Sequence, residues 1–515
     1  MKKTTYLQGA FILSLTNILT GIIAFIYRIF LTKTVGAEGI GIYQLVLPLY
    51  YFFITLVSSG LVTTISKLIA ENRVKKNFSN IYHIIKVGLI ISGIWSSLLA
   101  IFIAFNSSFL GTYILKDERT AYPILIFSPA IIFIALSAVL KGYFYGMEKV
   151  SIPSSIDIVE KLIRLIILVV ITRYFINHGI VLICAGAMFA MVCGEILSLI
   201  LLFTFYHYKR NLLIPRTKIQ TNLSIIKNIL IPLLPLSISG AIENILDMID
   251  AVLIPSKLVE AGFSKQSALS LYGELTGMVF PLLYFPLIII ASLSTTLIPS
   301  IAYSYASNNS IALNKKCNDS MAIASIIGFA SAVVFTSYPS ELCKIFYNRP
   351  ETGFLLFWST FPSIFDYWLF IILAILNGLG FQKKVMECSL SNILIITTSI
   401  FFLMPIPKLN IYAYIIGFAL SSTYVVFRGM YIIKKRTVIR FNLTKIMAKP
   451  AFCAIFMFIS IKSINKYLSL HYITKYNMIS SFAAGIIIYF IMLFITKTLH
   501  LKQFLNVLNI KSFWN

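Results

Sequence analysis

The chain is 515 residues long, 58% hydrophobic and only 12% charged, with a mean hydropathy of +0.89 and a formal net charge of +25. A soluble globular chain carries about twice that charged fraction, so the composition excludes a soluble protein and describes a polytopic membrane protein. The positive charge invites a nucleic-acid reading, but the lysines and arginines lie in short stretches between apolar runs, where they report topology, and no nucleic-acid partner is expected.

Runs of about 20 apolar residues match the ~30 Å hydrocarbon core at about 1.5 Å per residue. In lipid such runs must be helices, because every backbone polar group has to be bonded within its own segment. In chain order about 14 spans are predicted, at 8–32, 42–68, 82–106, 122–145, 154–176, 179–206, 227–253, 268–300, 320–339, 354–377, 384–404, 410–433, 447–465 and 477–497. Lys2 and Lys3 before the first run resemble a secretory signal. The run is too long and lacks a small-residue cleavage pattern, so it is read as a retained first helix. The expected fold is therefore all-α and polytopic, with two pseudo-symmetric six-helix lobes (1–206 and 227–433), a linker at 207–226, and two extra helices with a tail at 434–515.

The lobes are suggested by an internal repeat. Leu140-Lys141-Gly142 through Lys149-Val150 is echoed by Leu376-Asn377-Gly378 through Lys384-Val385, about 235 residues on. Pro48-Leu49-Tyr50-Tyr51 through Thr63-Thr64-Ile65-Ser66 recurs as Pro281-Leu282-Leu283-Tyr284 through Thr295-Thr296-Leu297-Ile298. Duplicated bundles are a transporter signature and place a substrate site between the halves. An even number of spans puts both termini on one side. Loops on that side carry roughly 26 basic residues against about 12 opposite, with clusters at Arg73, Lys75 and Lys76, at Lys209 and Arg210, and at Lys434, Lys435 and Arg436. Both termini and the linker are thus expected on the cytoplasmic side of the plasma membrane.

Ionisable residues inside spans are costly and mark candidate sites. Arg28, in Phe25-Ile26-Tyr27-Arg28-Ile29-Phe30, either snorkels to an interface or faces a cavity, where its fork suits an anionic phosphate group. Glu160 and Arg164 are four apart on one helical face, so they either pair with each other or contact substrate. Glu243, Asp247 and Asp250 form an i, i+4, i+7 stripe, with Asn392 of the eleventh span as a candidate partner. They can hold a coupling cation such as Na+, carry H+, or pair with basic groups across the bundle. Glu195, Glu274, Asp366 and Arg428 are single charges, each read as interfacial or paired. Prolines within spans kink helices. Pro48 and Pro281 occupy equivalent places in the repeat and are candidate hinges. The six cysteines show no CxxC pairing and the five histidines no metal-ligand spacing, so no metal is expected. No phosphate-binding loop, hydrolase elbow or metalloprotease pair occurs, so no catalysis and no cofactor beyond a coupling ion is expected.

Phe25–Phe30, followed by Val35-Gly36-Ala37-Glu38-Gly39-Ile40-Gly41-Ile42-Tyr43-Gln44, resembles the opening of the polysaccharide-biosynthesis and lipid-linked oligosaccharide flippases of the multidrug/oligosaccharidyl-lipid/polysaccharide exporter superfamily. Ser66–Glu71, Lys141–Gly146, Leu271–Met278 and Leu297–Ser300 carry the same resemblance, which points among these flippases to sporulation-linked members. It implies alternating access, a lipid-pyrophosphate-linked sugar as cargo, membrane lipids as surroundings and cell-wall synthesis enzymes as partners, with spore cortex peptidoglycan as the setting. It also implies that Arg28 holds the pyrophosphate and that Asp250 belongs to a sodium site. The related lipid II flippases carry further basic residues in the second span and at the start of the eighth, where this chain has Gln44, Leu47 and Pro48, and Glu274. Two other readings stay open: a cation-coupled multidrug or small-molecule exporter, which has no need of Arg28, and a non-transporting scaffold for cortex assembly.

Overall fold

The computed structural model describes residues 6–175, 177–209, 220–468 and 474–498. Half of the 207–226 linker (210–219) and parts of the 434–515 segment (469–473 and 499–515) lie outside these residues, as does the side chain of Glu243. Contacts divide the chain into two units, one of Met1–Pro281 with Met404–Ile411, the other of Leu282–Leu403 with Tyr412–Asn515.

The first unit is built from α1 (Tyr6–Ser58), α2 (Leu61–Val74), α3 (Phe78–Phe105), a short α4 (Ser107–Phe109), α5 (Ala121–Phe127), α6 (Ala130–Gly146), α7 (Ser151–Phe175), α8 (Ile180–Lys209), α9 (Asn222–Glu260) and α10 (Lys265–Gly273). A π-helical turn, Glu274–Val279, leads from α10 to α11 (Phe280–Tyr284), and the boundary between units falls at Pro281–Leu282. The second unit holds α12 (Leu287–Ala306), α13 (Ser310–Ser337), α14 (Pro339–Tyr347), α15 (Gly353–Gly378), α16 (Gln382–Leu403), α17 (Tyr412–Arg436), α18 (Lys449–Leu468) and α19 (Thr474–Ile495).

The helices are apolar outside and small or polar inside, the reverse of a water-soluble bundle. On α3, Ile90, Ile94, Leu98, Ile101 and Phe105 are exposed, while Gly88, Ser92, Ser96 and Ala100 are buried. Apolar side chains gain nothing by turning inward from lipid, so close packing of small residues holds such helices together. In the second unit α18 and α19 pack on each other and on α13, where the Tyr489 hydroxyl donates to the Ile326 carbonyl at 3.0 Å.

Ten described helices are long and apolar enough to cross a membrane, or eleven when the bent pair Glu118–Phe127 and Ala130–Gly146 is taken as one span. The sequence suggested about 14. The chain is all-helical and multi-pass, and the difference has identifiable causes. The first two predicted spans stand as one stretch, Ile12–Val74, in the count of ten, although Gly36 (φ 70°, ψ −170°) breaks it into two legs. The eighth remains one span, shortened by the π-helical turn and by Pro286 to the apolar part Leu287–Ala306. α7 carries Asp157, Glu160, Lys161 and Arg164, and this charge lowers its apolarity.

The internal repeat is visible in backbone detail. α2 ends with Lys76 at φ 53° and α12 ends with Asn308 at φ 53°; α6 ends with Glu148 at φ 56° and α15 with Gly380 at φ 78°. Each pair is 232 residues apart, and the capping bonds match: Lys149 N to Phe144 O at 2.8 Å repeats as Phe381 N to Leu376 O at 3.0 Å. The next helices also start alike, with Asn77 accepting from Asn80 N and Asn309 from Ala312 N. This spacing corrects the sequence alignment. Gly378 corresponds to Gly146, not to Gly142: a Cβ at Gly146 would lie 2.6 Å from Ser66 O and 2.8 Å from Ile69 Cβ, and one at Gly378 2.8 Å from both Ile298 O and Ile301 Cβ. Gly142 and Gly146 are one turn apart on a single face, so a one-turn slip keeps the pattern and escapes a sequence comparison. Gly146→Leu and Gly378→Leu are therefore expected to fail alike, each overpacking by ~3 kcal/mol or more, read as loss of the monodisperse peak in detergent. Leucine at Gly93, where a Cβ would meet only Leu136 Cδ2 at an ordinary 3.6 Å, is the milder control.

Candidate functional site

The Gly36 kink folds the two legs of α1 back along one another, and both rest on α8. The Tyr27 hydroxyl donates to the Ala187 carbonyl at 3.1 Å, and the Tyr43 hydroxyl meets Met191 Sδ at 3.7 Å. Arg28 on the first leg lies over the Tyr43 ring on the second, its Cζ 5.6 Å from the ring centroid. The guanidinium is half-buried, and its Nη1 is fully buried with no hydrogen-bond partner among the described residues. A buried, permanently charged donor without an acceptor is costly. Here the cost falls at a defined point, with the ring orienting the fork.

Two groups of charge flank Arg28 within the same unit. On one side, Tyr272 of α10 donates to the Gln44 carbonyl at 3.3 Å, and Arg28, Asp247 and Asp250 all lie close enough to act on its hydroxyl electrostatically. Gln44 in turn donates to the Thr276 carbonyl at 2.6 Å, inside the π-helical turn. Such turns expose backbone groups and concentrate at functional sites. Asp247 is exposed and Asp250 half-buried.

On the other side Arg164, which with Arg28 is within electrostatic reach of Tyr27 and Tyr43, anchors a buried ionic cluster. Its Nη2 donates to Glu160 Oε1 at 2.6 Å and to Glu195 Oε1 at 3.0 Å, and Lys161 Nζ reaches Glu160 at 2.9 Å. One turn nearer the α7 N-terminus, Lys141 of α6 bonds Asp157 at 2.7 Å. Three carboxylates and three cations from α6, α7 and α8 thus balance inside the helices. Glu160 is 2% exposed and Arg164 9%.

The structure brings Arg28, Asp247, Asp250, Glu160 and Arg164 into one unit and also places Pro48 there, within the second leg of α1. Asn392 lies in the second unit, on α16, with its Oδ1 buried and unbonded among the described residues. Glu195 is a full member of the cluster, though the sequence reading took it as a single charge, and Asp157 and Tyr272 were not singled out. Lys141 stands in the repeated Leu-Lys-Gly stretch, but α8 is brought against α7 by tertiary packing that no local spacing reports. Of the other single charges, Arg428 bonds Glu387 at 3.1 Å, and Asp366 is buried within α15.

A second polar network ties the helix ends. Arg119 forks onto Asp117 (2.9 and 2.7 Å) and reaches Glu38 at 2.6 Å, and Glu38 accepts from Gln266 at 2.8 Å. It borders a cavity of about 850 Å³ that Lys116 and Lys265 also line. Among the described residues no three His, Cys, Asp or Glu side chains converge as a metal site.

An all-helical, multi-pass chain with a half-buried arginine whose Nη1 has no partner among the described residues, and with charged groups set within its helices, has the make-up of a membrane transporter. A family model described as polysaccharide biosynthesis protein matches residues 6–304, and the chain belongs to that family. Stage V sporulation protein B of Bacillus subtilis (strain 168) is 28% identical over 506 residues, which cover 96% of each chain. Lipid II flippase MurJ of the same organism is 25% identical over 403 residues, 73% of each chain. A solved structure of lipid II flippase MurJ in an inward closed conformation superimposes with a TM-score of 0.67 at 16% identity, covering 93% of this chain and 97% of that one. The chain is thus a multi-pass membrane protein of the polysaccharide-biosynthesis family, with the fold of solved membrane transporters.

Proposed function

We propose that this protein carries a polyprenyl-pyrophosphate-linked, peptidoglycan-type precursor from the inner to the outer leaflet of the cytoplasmic membrane by alternating access, and that it serves spore cortex synthesis. The observation that carries the reading is the orphaned Nη1 of Arg28, held over Tyr43 at a position where a pyrophosphate oxygen would complete its bonding. The relatives' printed names, a sporulation protein and a lipid II flippase, agree with this cargo. Both termini face the cytoplasm, as the asymmetry of basic residues between loops indicates.

Asp247 and Asp250 supply hard oxygen ligands beside Tyr272, suited to Na+ or H+ coupling. Binding of that ion to one state more than the other would bias which side is open. Glu160 and Arg164 shape the anion site from the far side of Tyr27 and Tyr43. Pro48 and Pro281 serve as hinges, and the unit boundary at Pro281–Leu282 supports the second. The test is complementation of an endospore former that lacks its own relative. The wild type restores cortex, and Arg28→Ala at matched expression leaves lipid-linked precursor accumulated. Restoration of cortex by Arg28→Ala would remove the basis of this reading.

A further inference from the structure

In the second unit, the segment joining α17 to α18 is clipped onto the first turns of α13 by two asparagines. Asn314 Oδ1 accepts from Arg440 N at 2.9 Å, Asn318 Oδ1 accepts from Asn442 N at 2.8 Å, and Asn318 Nδ2 donates to the Arg440 carbonyl at 2.9 Å. Lys445 adds an ion pair to Asp319 at 2.6 Å. The clip leaves a cleft of about 640 Å³ into which Lys315, Arg440 and Lys445 converge. Asp319 is the one carboxylate lining it, and Lys445 already engages that group. Among the described residues the side chains of Lys315 and Arg440 show no hydrogen bond or ion pair.

The cleft is also lined by apolar, outward-facing side chains: Ile311 is 83% exposed and Val438 66%, with Phe441 beside them. The cleft lies where α13 begins, α17 ends and α18 begins, so it opens at one end of three lipid-embedded helices. Basic side chains alone would follow from topology. Cations fixed by a backbone clip, around a cavity, with large apolar side chains beside them, match a molecule with a phosphate head and an acyl body. We propose that this cleft binds the headgroup of an anionic phospholipid, with Lys315 and Arg440 on the phosphate and Ile311, Val438 and Phe441 against the upper acyl chains. This site is independent of the cargo assigned above.

The test uses the full-length protein in nanodiscs of equal parts phosphatidylglycerol and phosphatidylcholine, with the retained lipid identified by native mass spectrometry. The wild type should hold phosphatidylglycerol in preference by about tenfold or more, and Lys315→Gln/Arg440→Gln should bring that preference close to parity. Asn318→Ala, which keeps every charge but opens the clip, should lose it as well. Lys75→Gln/Lys76→Gln, which removes an equal charge from the first unit, should leave it intact. A wild type without preference, an equal loss in the Lys75/Lys76 variant, full retention in Asn318→Ala, or displacement of the lipid by inorganic phosphate would each overturn the proposal.

Discussion

Arg28→Ala is expected to leave the protein folded in the membrane and to lower movement of a lipid-pyrophosphate-linked sugar by about 100-fold. That is the ~3 kcal/mol of a desolvated charge-assisted contact. Thermal stability should stay level or rise, because the substitution removes a buried Nη1 that bonds nothing among the described residues. The combination is diagnostic: a structural arginine would lose stability and activity together. Arg28→Lys keeps the charge but loses both the planar fork and its geometry over Tyr43, so it should recover only part of the rate, to within about tenfold of wild type. Quantifying transported lipid and melting temperature on the same preparations checks both halves of this expectation.

Arg164→Leu should do the opposite and destabilise the protein by ~3–5 kcal/mol, since it strips a shared cation from two buried carboxylates. The readout is the fraction of monodisperse protein after solubilisation, measured against temperature. Because the cluster is balanced, removing a carboxylate along with the cation should restore part of the loss. Arg164→Leu/Glu195→Leu is expected to be more stable than Arg164→Leu alone by ~1–2 kcal/mol, a coupling that a double-mutant cycle isolates. A double variant as unstable as the sum of the singles would mean that Glu195 is held by something other than Arg164.

Membrane class and helical character follow from composition alone, because lipid permits no other backbone arrangement for apolar runs of this length. Span limits were less legible. Gly36 turns the chain between the first two spans at a single non-helical residue, and a π-helical turn splits the eighth span at residues that look unremarkable in sequence. The repeat could be read from Lys141-Gly142 and Asn377-Gly378, but its register could not, since Gly146 presents the same face one turn later. Arg28 stood out because a lone arginine in an apolar run has few innocent explanations. Its setting over Tyr43 depends on the Gly36 fold-back, and the place of Glu195 depends on α8 packing against α7. Both are long-range facts that no local pattern encodes.

The most direct measurement is leaflet transfer by the purified full-length protein in vesicles, using a fluorescent polyprenyl-pyrophosphate-linked disaccharide and a membrane-impermeant quencher, with and without a Na+ or pH gradient. Wild-type protein should move the lipid, and Arg28→Ala should move it about 100-fold more slowly while remaining folded. Equal transfer by the two proteins, or none above empty vesicles by a folded wild type under any gradient, would contradict the account.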